Sequence, residues 1–345
     1  MKILHILQSS FFSGAENVVC QMIQIMSEDV DMIYSSPKGS IEQTLLEKKI
    51  NYSGIEKLSV REVKRIIKVT KPDIIPAHDM RASFIAALAC GKIPLICHIH
   101  NNSFDSRKLN IKTVLFYFAA EKAKHIFWVS DSCYDKFIFS KQFKNKSSVL
   151  YNIMDLEMLY SKMRQDKNEY KFDIVYLGRL TYPKNPKRLI AVLEKVIEKM
   201  PNIKIAIIGT GDMEDEVKEL VSQKMLNDNI SFLGYRENPY KILYDAQLMI
   251  MTSFWEGLPM CALEAMGLGV PIVSTPTDGL CKLILNGETG YLKESDDELA
   301  TACMDIIGNS ELRKKLSDAS IERSIDLMDK EIYRKNVMRV YTKSI

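Results

Sequence analysis

Tryptophan occurs twice and histidine five times in 345 residues, and the seven cysteines are an odd number. Those cysteines are scattered at 20, 90, 97, 133, 261, 281 and 303, with no Cys-x-x-Cys pair and no Cys/His cluster at zinc spacing. Neither a disulfide framework nor a zinc knuckle is therefore indicated, and no metal site is expected. No apolar run approaches the ~20 residues needed to span a bilayer. The opening MKILHILQSS is too short in its apolar part for a signal-peptide core and reads as a buried first strand. The expectation is a cytoplasmic, reduced protein, soluble or peripheral to the inner face of the cell membrane. A G-x-G-x-x-G fingerprint is also missing, and no acidic ribose reader closes a second strand, which disfavours nicotinamide chemistry. The one literal D-x-D, Asp29 to Asp31, precedes a strand in a polar turn and reads as solvated.

What is present is an ordinary globular composition, 46% hydrophobic and 26% charged, long enough for two domains. The net charge of +3 conceals an asymmetry. Residues 1–155 hold 21 basic and 15 acidic side chains and all five histidines, whereas the remainder holds 26 and 29. A basic first half favours an anionic membrane surface or a phosphorylated lipid; no nucleic-acid partner is expected.

Short runs that are apolar at nearly every position alternate with amphipathic helical stretches, as a parallel sheet buried on both faces requires. Six such runs fall in the first half (2–7, 30–35, 73–77, 94–100, 125–130, 148–151). Six more fall in the second (172–178, 203–209, 230–234, 248–253, 271–275, 290–293). The organisation expected is an α/β domain over 1–155, a polar linker over 156–170, a second α/β domain over 171–326, and a terminal helix over 327–345 that packs back on the first. The helix KLNIKTVLFYFAAEKAK (108–124) mixes lysines with Leu115, Phe116, Tyr117 and Phe118. It suits a core helix with a solvated charged face, or one lying on an anionic bilayer.

Chemistry concentrates at the strand ends. Gly14 sits where the first strand gives way to a helix, so backbone can approach an anion there. In YLGRLTYPKNPKRLI (176–190), Arg179 follows the strand directly. Asn185 is placed as an N-cap with Pro186 at the first helical position, which puts Lys184 at the helix mouth. A guanidinium fork and an ammonium beside a helix N-terminus make a diphosphate clamp. Gly209 and Gly211 form a second strand-to-helix turn. Tyr235 in FLGYREN lies at the next strand end, either against a nucleoside base or as an aromatic wedge. In FWEGLPMCALEAM, the loop Gly257, Leu258, Pro259 and Met260 presents backbone amides between two carboxylates, Glu256 and Glu264. Ionised carboxylates read sugar hydroxyls, and the loop and helix N-terminus would meet a phosphate between them. His98 and His100 alternate onto one face of a strand, with no third zinc ligand signposted. His100, nearer the strand end, is the choice for a sugar or leaving-group contact; His78, His98 and Asn101 are candidates for the acceptor.

Taken together, these features resemble the retaining glycosyltransferases of family 4, with the GT-B fold of two Rossmann-like domains whose parallel sheets face across a cleft. The resemblance rests on Gly14-Ala15-Glu16, His100, VSDSCYD (129–135), Gly178-Arg179, Lys184, Gly209 and Gly211, FLGYREN, the two glutamates eight positions apart, and NGETGYL (286–292). It implies a nucleotide-sugar donor, UDP-linked in the family's manner, held mainly by the second domain and an acceptor held mainly by the first. Arg179 and Lys184 would bind the diphosphate, Glu264 the ribose and Glu256 the sugar, with Gly14 near the phosphates and His100 near the sugar. No cofactor or divalent metal is implied, because cations and a helix dipole take the leaving-group charge. The acceptor implied is a lipid-linked or growing surface glycan, such as capsule or exopolysaccharide. A nucleotide-sugar epimerase of the same fold and a catalytically silent partner subunit are the alternatives. Two departures stand out: Ser13-Gly14 replaces a glycine pair, and Asn152-Ile153 replaces an asparagine-glycine turn.

Overall fold

The computed structural model describes all residues except 28, 29 and 101–103, and the backbone alone at 104. Asn101 and the first aspartate of the D-x-D therefore lie outside the described residues. Twelve strands are present among those described. They are β1 (Lys2–Ile6), β2 (Asp31–Ser35), β3 (Ile75–His78), β4 (Leu95–Ile99), β5 (His125–Trp128) and β6 (Ser147–Val149), then β7 (Ile174–Leu177), β8 (Ile205–Ile208), β9 (Ile230–Gly234), β10 (Leu248–Met251), β11 (Ile272–Ser274) and β12 (Gly290–Leu292). Each coincides with an apolar run picked out in the sequence.

They form two six-stranded sheets, ordered β2-β1-β3-β4-β5-β6 and β12-β11-β10-β7-β8-β9, and every ladder is parallel. Parallel strands need helical crossovers, which cover both faces, so strand side chains are buried whichever way they point. Thus Ile205, Ala206, Ile207 and Ile208 of β8 are all essentially inaccessible. The helix Pro186–Lys199 contributes Leu189, Ile190, Val192, Leu193 and Val196 to the second core. Each such side chain is worth roughly 1.5–3 kcal/mol of burial.

The chain divides into two compact units, Met1–Ile153 with Asp329–Ile345, and Met154–Met328. The last helix, Lys330–Ser344, belongs to the first unit and buries Tyr333, Val337 and Tyr341. Residues 156–170, read as a linker, are corrected by the structure: Leu156–Gln165 is a helix of the second unit. Its polar sequence hides a sparse inward face of Leu159 and Met163, capped by Asp155, whose carboxylate accepts from the amides of Glu157 and Met158. Tyr160 donates to the carbonyl of Gly267 at 2.8 Å, tying that helix down.

In each sheet the strand order reverses once, between β1 and β3 and between β7 and β10. Helices diverge at such a switch point, and the carboxyl ends of the flanking strands are where open α/β sheets bind ligands. Loops there are pressed together backbone to backbone. Gly209 has φ +132°, and a Cβ on it would lie 2.0 Å from the carbonyl oxygen of Gly178; one on Gly211 would lie 2.1 Å from that of Leu180. A Cβ on Gly14 meets nothing within 4 Å. Gly209→Ala is expected to lower unfolding free energy in urea by at least about 2 kcal/mol, and Gly14→Ala to leave it within about 0.5 kcal/mol. An unchanged midpoint for Gly209→Ala would contradict this packing.

Candidate functional site

In the second unit, the loops after β7 and β10 meet. Tyr176 in β7 donates to the carbonyl of Arg179 at 2.9 Å, fixing the backbone of an arginine whose side chain is exposed. A short turn, Tyr182–Lys184, then leads into the helix Pro186–Lys199. Pro186 occupies the first helical position as the sequence suggests, but Asn185 does not cap with its side chain. It adopts a left-handed conformation (φ +51°), and its carbonyl accepts from the Thr252 hydroxyl at 3.1 Å. The amide of Phe254 donates to the carbonyl of Pro183 at 2.9 Å. These bonds clip the turn after β7 onto the loop after β10.

The clip aims Lys184 at Glu256: Nζ lies 2.6 Å from Oε1, and the Ser253 hydroxyl donates to the same oxygen at 2.6 Å. Burial by itself would lower the Lys184 pKa, but the Glu256 carboxylate outweighs it and the net shift is upward, so the ammonium stays charged. Arg179 is close enough to oppose that charge. Cys261 lies among the same groups. Burial, against the pull of Lys184 and with the push of Glu256 and Glu264, raises its thiol to about 12. Arg179, Lys184, Glu256 and Glu264 thus share one neighbourhood.

Glu264, the fifth residue of the helix Met260–Gly267, is 7% exposed and accepts from the Tyr240 hydroxyl at 3.3 Å. Burial, then the Glu264 carboxylate, then Tyr235 hold the Tyr240 phenol well above its ordinary pKa, and Tyr235 itself is exposed beyond β9. Leu258 and Met260 are buried, and Pro259 opens the helix, so the Gly257–Met260 loop offers main chain rather than side chains. Gly257 is held by Gly279, where a Cβ would lie 2.0 Å from its carbonyl oxygen.

In the first unit, parallel register places His5, His78, His98 and His125 on one face of the sheet, because His78 pairs with His98, Ile6 with Ala77 and Ile96 with His125, and His100 follows just past the end of β4. Four of them form a row at the strand ends. His5 Nδ1 is 3.0 Å from His78 Nε2, His78 Nδ1 is 2.8 Å from His100 Nε2, and the His98 and His100 rings are 4.0 Å apart. The missing third partner for His98 and His100 is therefore His78, which the sequence hides 20 residues upstream of His98. Asp79, with φ +65°, accepts from the backbone amide of His100 at 3.0 Å. Burial, reinforced by His100, lowers His5 to about 3, and burial lowers His100 to about 3 as well. His78 and His98 lie well below the ordinary imidazole value, again mainly by burial, while burial raises Asp79 to about 6. At neutral pH these are neutral imidazoles. Gly14 opens the helix Gly14–Met26, and Glu16 behind it is buried and accepts from the Ser13 hydroxyl.

His5, Ser253, Tyr240 and Cys261 carry no motif of their own. Strand parity would have found His5; the other three become visible only once the loops are folded.

Two family models cover most of the chain. The model described as Glycosyltransferase Family 4 matches residues 12–158, and that described as Glycosyl transferases group 1 matches residues 161–323. The chain belongs to glycosyltransferase family 4. It is a retaining glycosyltransferase of the GT-B fold, in a family that generally works without a metal cofactor. An Escherichia coli UDP-Gal:alpha-D-GlcNAc-diphosphoundecaprenol alpha-1,3-galactosyltransferase is 25% identical over 335 residues, 86% of this chain and 85% of that protein. An uncharacterised glycosyltransferase of Methanocaldococcus jannaschii is 30% identical over 246 residues, 64% of this chain and 61% of that one. The fold matches that of Anabaena HepE, solved in complex with UDP-glucose, with TM-score 0.86 and 21% identity over 99% of this chain and 100% of that one.

Removing one partner of a mostly buried ion pair leaves the other uncompensated. Lys184→Met is expected to cost about 3 kcal/mol in urea unfolding, and adding Glu256→Gln to recover part of it. A Lys184→Met protein as stable as the parent would contradict the pair's burial. The histidine row also predicts acid lability. Unfolded imidazoles titrate near 6.5, so the stability due to neutral burial is complete above that pH and lost as pH falls toward 3, by up to about 1.4 kcal/mol per unit for each ring. Asp79 acts oppositely, since a raised carboxyl favours the folded state as pH falls toward its unfolded value, but it is one group against four. Urea midpoints should therefore drop between pH 7 and 5; a flat profile would contradict the assignment.

Proposed function

We propose that the chain transfers a hexose from a UDP-linked donor to a lipid-linked or growing surface glycan. The observation that carries this reading is the convergence of Arg179, Lys184, Glu256 and Glu264 where β7 and β10 end. Departure of a nucleoside diphosphate develops charge on the β-phosphate, and the exposed Arg179 and the ammonium of Lys184 take that charge. The Met260–Gly267 helix adds its N-terminal dipole. Glu256, already accepting from Ser253, reads donor-sugar hydroxyls; Glu264, oriented by Tyr240, reads the ribose. Tyr235, exposed after β9, offers a ring to the base, and Gly209 and Gly211 hold the loop beside it. Retention then proceeds by attack on the face the diphosphate leaves, with the departing phosphate taking the acceptor proton and no protein nucleophile required.

The first unit supplies Gly14, whose surroundings leave space that a side chain would fill, and His100, a neutral imidazole for a contact to the sugar or the leaving group. His78 and His98 back His100. Support for a lipid-linked acceptor is twofold. The E. coli relative acts, by its name, on a diphosphoundecaprenol-linked sugar. In addition, the helix Ile111–Lys122 turns Phe116 inward and leaves Ile111, Val114 and Phe118 exposed, with Leu109 exposed just before it, beside Lys108 and Lys112. Exposed apolar groups flanked by lysines suit an anionic bilayer surface.

The test is incubation with radiolabelled UDP-sugars and a bacterial membrane extract. Transfer to lipid-extractable material is expected, with Arg179→Ala lowering kcat about 10²–10³-fold without loss of stability. No transfer or hydrolysis from any donor would refute the reading, and conversion of the donor without acceptor would point to an epimerase.

A further inference from the structure

Glycosyl transfer as read above calls on one histidine, His100, yet two buried histidines, His78 and His98, converge on this half-buried one. His78, His98 and His100 each bring a ring nitrogen within 4.8 Å of the other two. His98 Nε2 and His100 Nδ1 are buried without a hydrogen-bond partner among the described residues, and so is His5 Nε2 at the far end of the row. A buried polar atom left unpaired is costly, and several in one place call for an explanation.

We propose that His78, His98 and His100 form a binding site for a borderline divalent transition-metal ion of the zinc class. Three neutral imidazoles are a ligand set such ions favour, whereas magnesium and calcium prefer oxygen. At zinc–nitrogen distances of about 2.0–2.1 Å, tetrahedral ligands stand about 3.3 Å apart. His78 Nδ1 and His100 Nε2, now 2.8 Å apart, would separate by about half an ångström, and the remaining nitrogen would close by more than an ångström, movements within reach of ring rotation. The supporting groups are already placed. With Nδ1 on the metal, His78 Nε2–H donates to His5 Nδ1 across the existing 3.0 Å contact. Asp79 anchors the His100 backbone by accepting its amide. Pairing of His78 with His98 across β3 and β4 fixes two of the three ligands on adjacent strands, a rigid mount. Because His100 is also the residue read above as a sugar contact, a bound ion would occupy it, and the site is therefore one for inhibition or storage rather than for catalysis.

Calorimetric titration of the metal-stripped full chain with zinc chloride, in the absence of donor, tests this without reference to transfer. One ion per chain is expected, with affinity reduced at least tenfold in His98→Gln and in His78→Gln and unchanged in Cys281→Ser, which removes the exposed thiol. Cobalt should give visible bands of nitrogen and oxygen ligation without thiolate charge transfer. Should the histidine variants fail to fold, nitrogen-resolved NMR of wild-type imidazoles decides: zinc should shift His78, His98 and His100 and leave His125 unmoved. Absence of binding, binding indifferent to His98→Gln, thiolate charge transfer, or unmoved rings at 78, 98 and 100 would each overturn the proposal.

Discussion

A single ion pair organises the second unit's chemistry. Lys184 and Glu256 lie on loops that leave different strands, 72 positions apart, and their contact at 2.6 Å holds those loops in register. Two charges taken largely out of water are stable only together; the Ser253 hydroxyl adds a hydrogen bond to the carboxylate, while the clip from Thr252 and Phe254 holds the backbone on either side of Lys184. The pair also keeps a full positive charge beside Arg179, where a diphosphate is proposed to leave. Stability and function thus draw on the same ammonium, and its carboxylate partner is the group proposed to read the sugar.

The first unit solves a different problem with a different chemistry. Its strand ends are lined with imidazoles rather than with a cation and an acid, and burial keeps them neutral. A neutral imidazole both donates and accepts, so the row His5, His78, His100 has two proton arrangements, each leaving one donor and one acceptor unmatched at its ends. That mismatch makes the row more than packing, and it is the feature on which the metal proposal rests.

Much of the fold was legible in the sequence because parallel strands are apolar at nearly every position, a pattern that survives without knowledge of pairing. All twelve strands fall on such runs. The helix 156–165 was not legible, because two inward residues, Leu159 and Met163, suffice to dock it and its remaining surface reads as linker. Motifs singled out Arg179, Lys184, Glu256 and Glu264, since each sits at a strand end, in a glycine-proline loop or on the helix that this loop opens. They did not disclose that Lys184 pairs with Glu256, nor that Asn185 turns left-handed, because both depend on how two distant loops meet. That His78 meets His98 and His100 escaped for the same reason: spacing along the sequence carries no information about side chains brought together by neighbouring strands.

The central claim is that the second unit's cationic strand ends grip a diphosphate. Thermal unfolding in the presence of UDP and, separately, of uridine tests it most directly. A ligand at a hundred times its dissociation constant stabilises the folded state by about 2.7 kcal/mol. The account predicts that UDP raises the melting temperature at concentrations where uridine does not, and that Arg179→Ala erases much of the difference. Equal shifts from the two ligands, or none from UDP, would contradict it.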